Sequence, residues 1–250
     1  MPGVRLSENA AGPRMFARYA YAPNALGYCG PPDATALQRG SPAEIRAAAR
    51  RFTGAWPYLR VMSAMTGIAD PLDPRLVESY WHGGGIGATL DPTAFTRELL
   101  AILGPAAGNY WTHLSIELAA EAAPNHCFHV FGIYPWSRLL GSRASVTALQ
   151  ILDSCRITAA LVITRDGPDL LLRSRRLAWD GARLTLSPPE DRHLAIGSDD
   201  CPAADPQPGD VIALHWDQPV ATLTPPQVVD LTASTSHQIE VTNQRLLRDS

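Results

Sequence analysis

Two histidines and a thiol fall within four positions at His126-Cys127-Phe128-His129. They lie in an apolar run from Pro124 to Trp136 that also holds Asn125, Phe128, Phe131, Tyr134 and Trp136. Imidazole titrates near neutrality, so either histidine is suited to take or return a proton. Burying a titratable group costs free energy unless it is paired. So polar a content in so apolar a segment means either a core strand with hydrogen-bonded histidines or the wall of a small-molecule pocket. As a strand, the segment would point Cys127 and His129 to one face and His126 and Phe128 to the other; as a helix, His126 and His129 would share a face. Gly132 and Pro135 argue against a long helix, so we read a short buried strand or an irregular extended run.

Other chemistries are weaker on the same residues. His126, Cys127 and His129, joined by Cys29, Cys155 or His82, would offer nitrogen and sulfur to zinc or iron. Neighbouring strand side chains point apart, however, and His-Cys-x-His is then no ligand spacing; we expect no metal and no cofactor. Cys127 beside His129 would make a nucleophile, but burial in an apolar run raises a thiol pKa and quenches it. No G-x-S-x-G elbow is present for a serine hydrolase. The chain has no lysine, all 21 basic residues being arginine. Schiff-base chemistry and a lysine-bearing phosphate loop are therefore excluded within it.

The elements that must position these groups follow from pattern and punctuation. At 250 residues, 46% hydrophobic and 18% charged, the chain supports a sizeable core. A net charge of −3 gives no bulk attraction to nucleic acid or an anionic membrane. No apolar window reaches the roughly 18 residues of a membrane span, no signal peptide is evident, and we expect a cytoplasmic protein. Four cysteines without a C-x-x-C pair are read as free thiols.

Residues 1–22 read as loosely structured, and 19–33 as a structured loop that includes Tyr28. Ser41-Pro42-Ala43-Glu44, Asp73-Pro74, Asp91-Pro92 and Thr224-Pro225 each join a polar cap to a proline at the first helical position. Residues 58–65, 110–123 and 137–151 are also helical by pattern. The Asp73 helix ends in Tyr80-Trp81-His82 and a glycine run, Gly83 to Gly87, able to approach a ligand closely or offer amides to an anion. Beyond Cys155 the period shortens to two, with strands at 157–164, 170–178, 183–186 and 209–216 and Asp-Gly hairpin signals at Asp166-Gly167 and Asp180-Gly181. The acidic, proline-rich stretch 188–208 reads as an exposed loop. The fold class is α+β: a mainly helical region over 1–150, a small antiparallel sheet or barrel over 151–222, and a helix over 223–250 packing back on the body.

The order Cys155, strand, hairpin, strand, Pro208-Gly209-Asp210-Val211, His215 and a terminal helix resembles the small barrel of hydrogenase-formation chaperones. Their working cysteine follows the initiator methionine, whereas position 2 here is proline. Tyr28-Cys29-Gly30-Pro31, Val77-Glu78-Ser79-Tyr80-Trp81 and the 125–131 segment resemble an uncharacterised actinobacterial family sometimes encoded near hydrogenase genes. In size and its arginine-only basic set the chain is also similar to the two-component proteins that close aziridine rings with loss of sulfate in azinomycin-type biosynthesis. That similarity implies a natural-product enzyme in which an amine attacks the neighbouring carbon of an amino-acid-derived substrate and expels sulfate. It also implies a second subunit or a homo-oligomer. In this reading His126 or His129 is the base, oriented by Asp153 or Asn125. Arg138, Arg156 or the glycine amides, Gly84 among them, hold the anion, and Tyr28, Tyr80, Trp81, His82, Cys127, Tyr134 and Trp136 contact the substrate. The alternative is a non-enzymatic accessory protein for hydrogenase maturation.

Overall fold

The computed structural model describes residues 8–33, 35–107, 111, 113–196 and 205–249. Nine α-helices are present among them: α1 Glu8–Ala25, α2 Thr35–Arg39, α3 Pro42–Ala49, α4 Ala55–Thr66, α5 Pro74–His82, α6 Pro92–Ala107, the single turn α7 His126–Phe128, α8 Ser145–Cys155 and α9 Pro225–Asp249. The caps foreseen at Ser41 and Asp73 form: Ser41 and Glu44 bond reciprocally, and Asp73 accepts from the Arg75 amide. α1 replaces the loose arm expected at the N-terminus. Pro13 and Pro23 each remove one helical hydrogen bond. Phe16, Tyr19 and Ala20, buried on one face against α3 and α5, outweigh that loss. α1 approaches so closely that a Cβ at Gly12 would stand 1.8 Å from the Leu72 carbonyl. Only glycine fits there.

The helix expected over 110–123 is not continuous. Tyr110 and Thr112 lie outside the described residues, and among the described ones Trp111 is in a 3-10 conformation and Ile116–Ala120 winds as a 3-10 turn capped by Ser115. The helix expected from Ser137 is split. A 3-10 turn at Pro135–Leu139 ends before Gly141, whose φ of 83° is left-handed, and α8 starts afresh at Ser145.

Seven strands follow among the described residues: β1 Thr158–Asp166, β2 Asp169–Ser174, β3 Leu177–Trp179, β4 Leu184–Leu186, β5 Glu190–Ala195, β6 Val211–His215 and β7 Gln218–Thr222. Asp166-Gly167 turns β1 into β2 and Asp180-Gly181 turns β3 into β4, as their residue types dictate. β5 occupies part of the stretch expected as a loop; Leu170↔Leu194 and its neighbours pair it antiparallel to β2. Five strands form a sheet in the order β5-β2-β1-β6-β7, and β3-β4 is a separate ribbon. β5 and β7 are open edges, so the sheet is not a closed barrel. The α+β class holds, with the sheet and not the barrel. The largest buried cluster links α1, α4 and α5 to Ile157, Ala213, Val220 and Leu231, so helices and sheet share one core. No helix among the described residues is long and apolar enough to cross a membrane.

Candidate functional site

The segment expected to be extended is helical, and this is the main correction to the sequence reading. After the single turn of α7, residues His129–Ile133 wind as a π-turn, closed by the Tyr134 amide donating to the His129 carbonyl at 3.0 Å. Gly132 permits it: a Cβ there would meet the Phe128 ring at 2.4 Å. The wider turn frees carbonyls, and side chains satisfy them. Phe131 O accepts from Ser137 Oγ and Arg245 Nη2, Gly132 O from Arg138 Nη1, and Ile133 O from His113 Nε2. Arg245, buried on α9, also pairs with Glu121 at 2.8 Å, which clamps the turn to the C-terminal helix. Such turns recur at functional sites. Here the turn places His126 and His129 side by side, their rings 6.2 Å apart and 28° from parallel.

Both imidazoles line a cavity of about 210 Å³, walled by Phe52, Tyr80, Trp81, Trp111, Tyr134, Trp136 and Trp216 with Cys29, Cys155 and His215. No charged side chain is among the lining residues. Trp81 stacks on Tyr19 at 5.3 Å and lies 4.9 Å from His126 and 5.9 Å from His215. At the rim, Tyr28 stacks on Trp216 with ring centroids 3.9 Å apart. Trp216 and Asp217 both have positive φ, 52° and 58°, in the two-residue turn between β6 and β7. That is the primed geometry a tight hairpin requires, here without glycine. The Trp216 amide is anchored by the Ser154 carbonyl at 2.8 Å. A second cavity, of about 310 Å³, shares Gly54, Trp111, His129 and Tyr134 with the first, so His129 stands in the wall between the two.

Burial sets the charge states. His126 is pushed well below the ordinary imidazole value by desolvation, with His215 and His129 adding to the effect. Desolvation takes His129 to about 3. His215 falls to about 4 for the same reason, the Tyr19 and Cys155 carbonyls pulling the other way. All three are neutral at pH 7. Desolvation likewise raises Cys29 to about 12 and carries Cys155 higher still, so both thiols are protonated.

The remaining expected site residues divide. Tyr28, Tyr80, Trp81, Tyr134 and Trp136 line the cavity; Asn125, Cys127, His82, Gly84, Arg138, Asp153 and Arg156 do not. Asn125 is the cap of α7, its Oδ1 accepting from the Phe128 amide at 3.0 Å. Cys127 turns into a second apolar cluster with Val130, Leu140 and Leu152. His82 Nε2 is bonded to the Tyr19 hydroxyl at 2.5 Å. Gly84 packs against the Asp230 carboxylate, where a Cβ would stand 2.1 Å from Cγ, and the Gly87 amide donates to Ser79 Oγ. The glycine run is a packing device against α9. Arg138 lies beside the π-turn, and Asp153 and Arg156 pair with each other and line a different cleft, with Arg176 and Asp217.

Sequence reasoning had no place for His215 in the site, nor for Phe52, Gly54 or Trp216. The available signal was a histidine ending the apolar strand Val211-Ile212-Ala213-Leu214, directly before a hairpin turn. The chain belongs to the family of unknown function DUF6390. The family's model matches residues 8–249, nearly the whole length. Membership in an uncharacterised family agrees with that part of the sequence reading. No curated protein and no solved structure matches the chain.

Proposed function

We propose that this DUF6390 chain is an enzyme that holds a small amino-acid-derived amine in the aromatic cavity and activates its nitrogen through His129. The supporting observation is the neutral imidazole of His129 between two cavities, its Nδ1 without a hydrogen-bond partner and its Nε2 beside Gly54. His126 is the less available base, since Nδ1 meets the Tyr80 hydroxyl at 3.3 Å and Nε2 the Cys155 carbonyl at 2.9 Å. An uncharged cavity desolvates an ammonium as it desolvates imidazolium, which favours the free amine the reaction needs. The reaction proposed is ring closure to an aziridine. The nitrogen lone pair attacks the adjacent carbon, the C–O bond breaks with its electron pair leaving on sulfate, and His129 takes the N–H proton. Rigid aromatic walls suit such an intramolecular step, where alignment is worth roughly 7–11 kcal/mol. Arg138 and Arg156 engage other partners, so in this reading the sulfate faces the cavity mouth.

The test is incubation with β-sulfooxy amines of the amino acid class, with the ring followed by NMR and sulfate release quantified. The wild type is expected to form both in equal amounts, and His129→Gln to lose about 10²–10⁴ in turnover while staying folded. Equal rates for the two proteins overturn the base assignment, and absence of turnover and of binding overturns the enzyme reading. The accessory reading has one observation on its side, the open and largely exposed edge strand β5, which offers main-chain groups to a partner. Co-purification with a hydrogenase precursor, without small-molecule turnover, would favour it.

A further inference from the structure

Three elements distant in sequence bring a thiol and two imidazoles to one point. Cys155 ends α8, His126 opens α7 and His215 ends β6. One ligating atom from each lies within 4.8 Å of the other two, and all three residues are buried. His215 is the most telling member. Its Nδ1 donates to the Tyr19 carbonyl at 2.6 Å, which fixes the tautomer and leaves the lone pair on Nε2. That nitrogen is buried without a partner, although the residue is only 1% exposed. A ring with one nitrogen held by a backbone carbonyl and the other left as a bare donor is the arrangement that ligating histidines adopt. His126 differs in having both nitrogens engaged, Nδ1 with the Tyr80 hydroxyl and Nε2 with the Cys155 carbonyl.

We propose that His126, Cys155 and His215 form a binding site for a borderline-soft divalent cation, Zn²⁺, with a fourth position open to the aromatic cavity. Two imidazoles and a thiol suit such an ion, while Mg²⁺ and Ca²⁺ favour carboxylate oxygens, and no Asp or Glu lines the cavity. Tetrahedral zinc sets its donors roughly 3.5 Å apart, so the three atoms close by about an ångström on binding. His126 gives up its bond to the Cys155 carbonyl for the metal, with Nδ1 turned to the Tyr80 oxygen. The Cys155 S–H bond breaks, its sulfur electron pair forms the S–Zn bond, and the proton passes to solvent. The ligands come from the helical half, the sheet and the helix between them, so the ion would also tie these elements together. This differs from the metal-free chain expected from sequence because Cys127 is not part of the cluster. The spacing that decides is spatial, across 126, 155 and 215. The zinc site shares the cavity wall with the proposed amine site but not its base, since His129 is not a ligand, and metal binding is read without any turnover.

The test uses the full chain, stripped by a chelator and titrated with Co²⁺ and then with Zn²⁺ in competition with a chromogenic chelator. Expected is about one equivalent of cobalt with intense tetrahedral d–d bands and a thiolate-to-cobalt charge-transfer band, displaced by zinc. Cys155→Ser should abolish the charge-transfer band, and His215→Ala should weaken zinc binding by roughly 100-fold or more, the loss of a direct ligand exceeding that of a second-shell partner. Cys127→Ala and Cys29→Ala should leave stoichiometry and spectrum unchanged. Circular dichroism and thermal unfolding confirm that each variant is folded, with His215→Gln standing in should His215→Ala not fold. A wild-type protein with no charge-transfer band overturns the proposal. So does a band that survives in folded Cys155→Ser, and loss of the metal in folded Cys29→Ala overturns the open fourth position.

Discussion

Cys155 separates two polar environments that differ in one respect. On its cavity side, imidazoles sit among aromatic rings with no charged neighbour in the lining, and His129 Nδ1, His215 Nε2 and Trp81 Nε1 are buried without partners. On the other side, Asp153 accepts from Arg156 Nε at 2.9 Å, Arg156 Nη2 at 2.8 Å, Arg176 Nη1 at 3.0 Å and the Leu177 amide at 2.9 Å. Arg156 spends a further donor on the Arg175 carbonyl at 2.6 Å. Asp153 and Arg156 have the residue types of a catalytic pair, but they are consumed in joining α8 to the β3-β4 ribbon. Chemistry is left to the neutral side, where hydrogen-bonding capacity is unspent. Unmet capacity in a cavity, more than charge, marks the place where a ligand would be held.

The contrast breaks first under acid. His82 is held at about 4 and His129 at about 3 by desolvation, against 6.5 when unfolded. The unfolded chain therefore binds more protons below pH 6.5, and stability falls as pH drops through that value. Each of the two should lose roughly 2 kcal/mol between pH 7 and pH 5, at about 1.4 kcal/mol per pH unit, with His126 and His215 adding in the same direction. Urea unfolding of chelator-treated protein at the two pH values checks this; a flat profile would mean that the imidazoles are hydrated.

Asp153→Ala tests the other side. It leaves Arg156, only 4% exposed at its side chain, without its carboxylate. The expected cost is about 3–5 kcal/mol of stability, read by denaturant unfolding, with cavity binding retained by the folded fraction. A loss of binding greater than the loss of folded protein would put Asp153 back into the site.

What the sequence revealed and what it hid follow the range of each signal. Ser41-Glu44, Asp73-Pro74 and the Asp-Gly turns act within four residues, and they form as read. α1 was hidden because Pro13 and Pro23 signal breaks locally, while the burial of Phe16 and Tyr19 that overrides them comes from α3 and α5. The π-turn matches neither a 3.6 nor a 2.0 period, so the segment is read from sequence as extended, and the pairing of His126 with His129 on one side is missed. Aromatic walls at Tyr80, Trp81, Tyr134 and Trp136 were legible because large rings beside polar groups are rarely idle. Asp153 and Arg156 misled because their partners, Arg176, Leu177 and the Arg175 carbonyl, lie about twenty residues on. His215 was missed for a similar reason: its neighbours are Tyr19, His126 and Cys155, none within fifty positions of it.

Two smaller changes sharpen the comparison from within the cavity. At Gly54 the backbone is ordinary, φ −83°, but an added Cβ would stand 2.7 Å from His129 Nε2. Gly54→Ala should therefore cost about 1–3 kcal/mol through crowding, and it should impair turnover more than stability by turning the His129 ring. Stability and turnover measured on the same preparation separate the two effects.

The smallest effect is expected at the mouth. Tyr28 is 52% exposed, so its stack on Trp216 is the main interaction removed by Tyr28→Ala. An aromatic pair of this kind is worth about 0.5–1.5 kcal/mol. Tyr28→Ala, Trp216→Ala and the double variant should give a coupling energy in that range, with the double variant less destabilised than the sum of the singles. Ligand dissociation should quicken by a similar factor in all three, since each opens the same rim. If the singles add without coupling, Tyr28 and Trp216 are not acting as one gate, and access to His126 and His129 must run through the cavity beside Gly54.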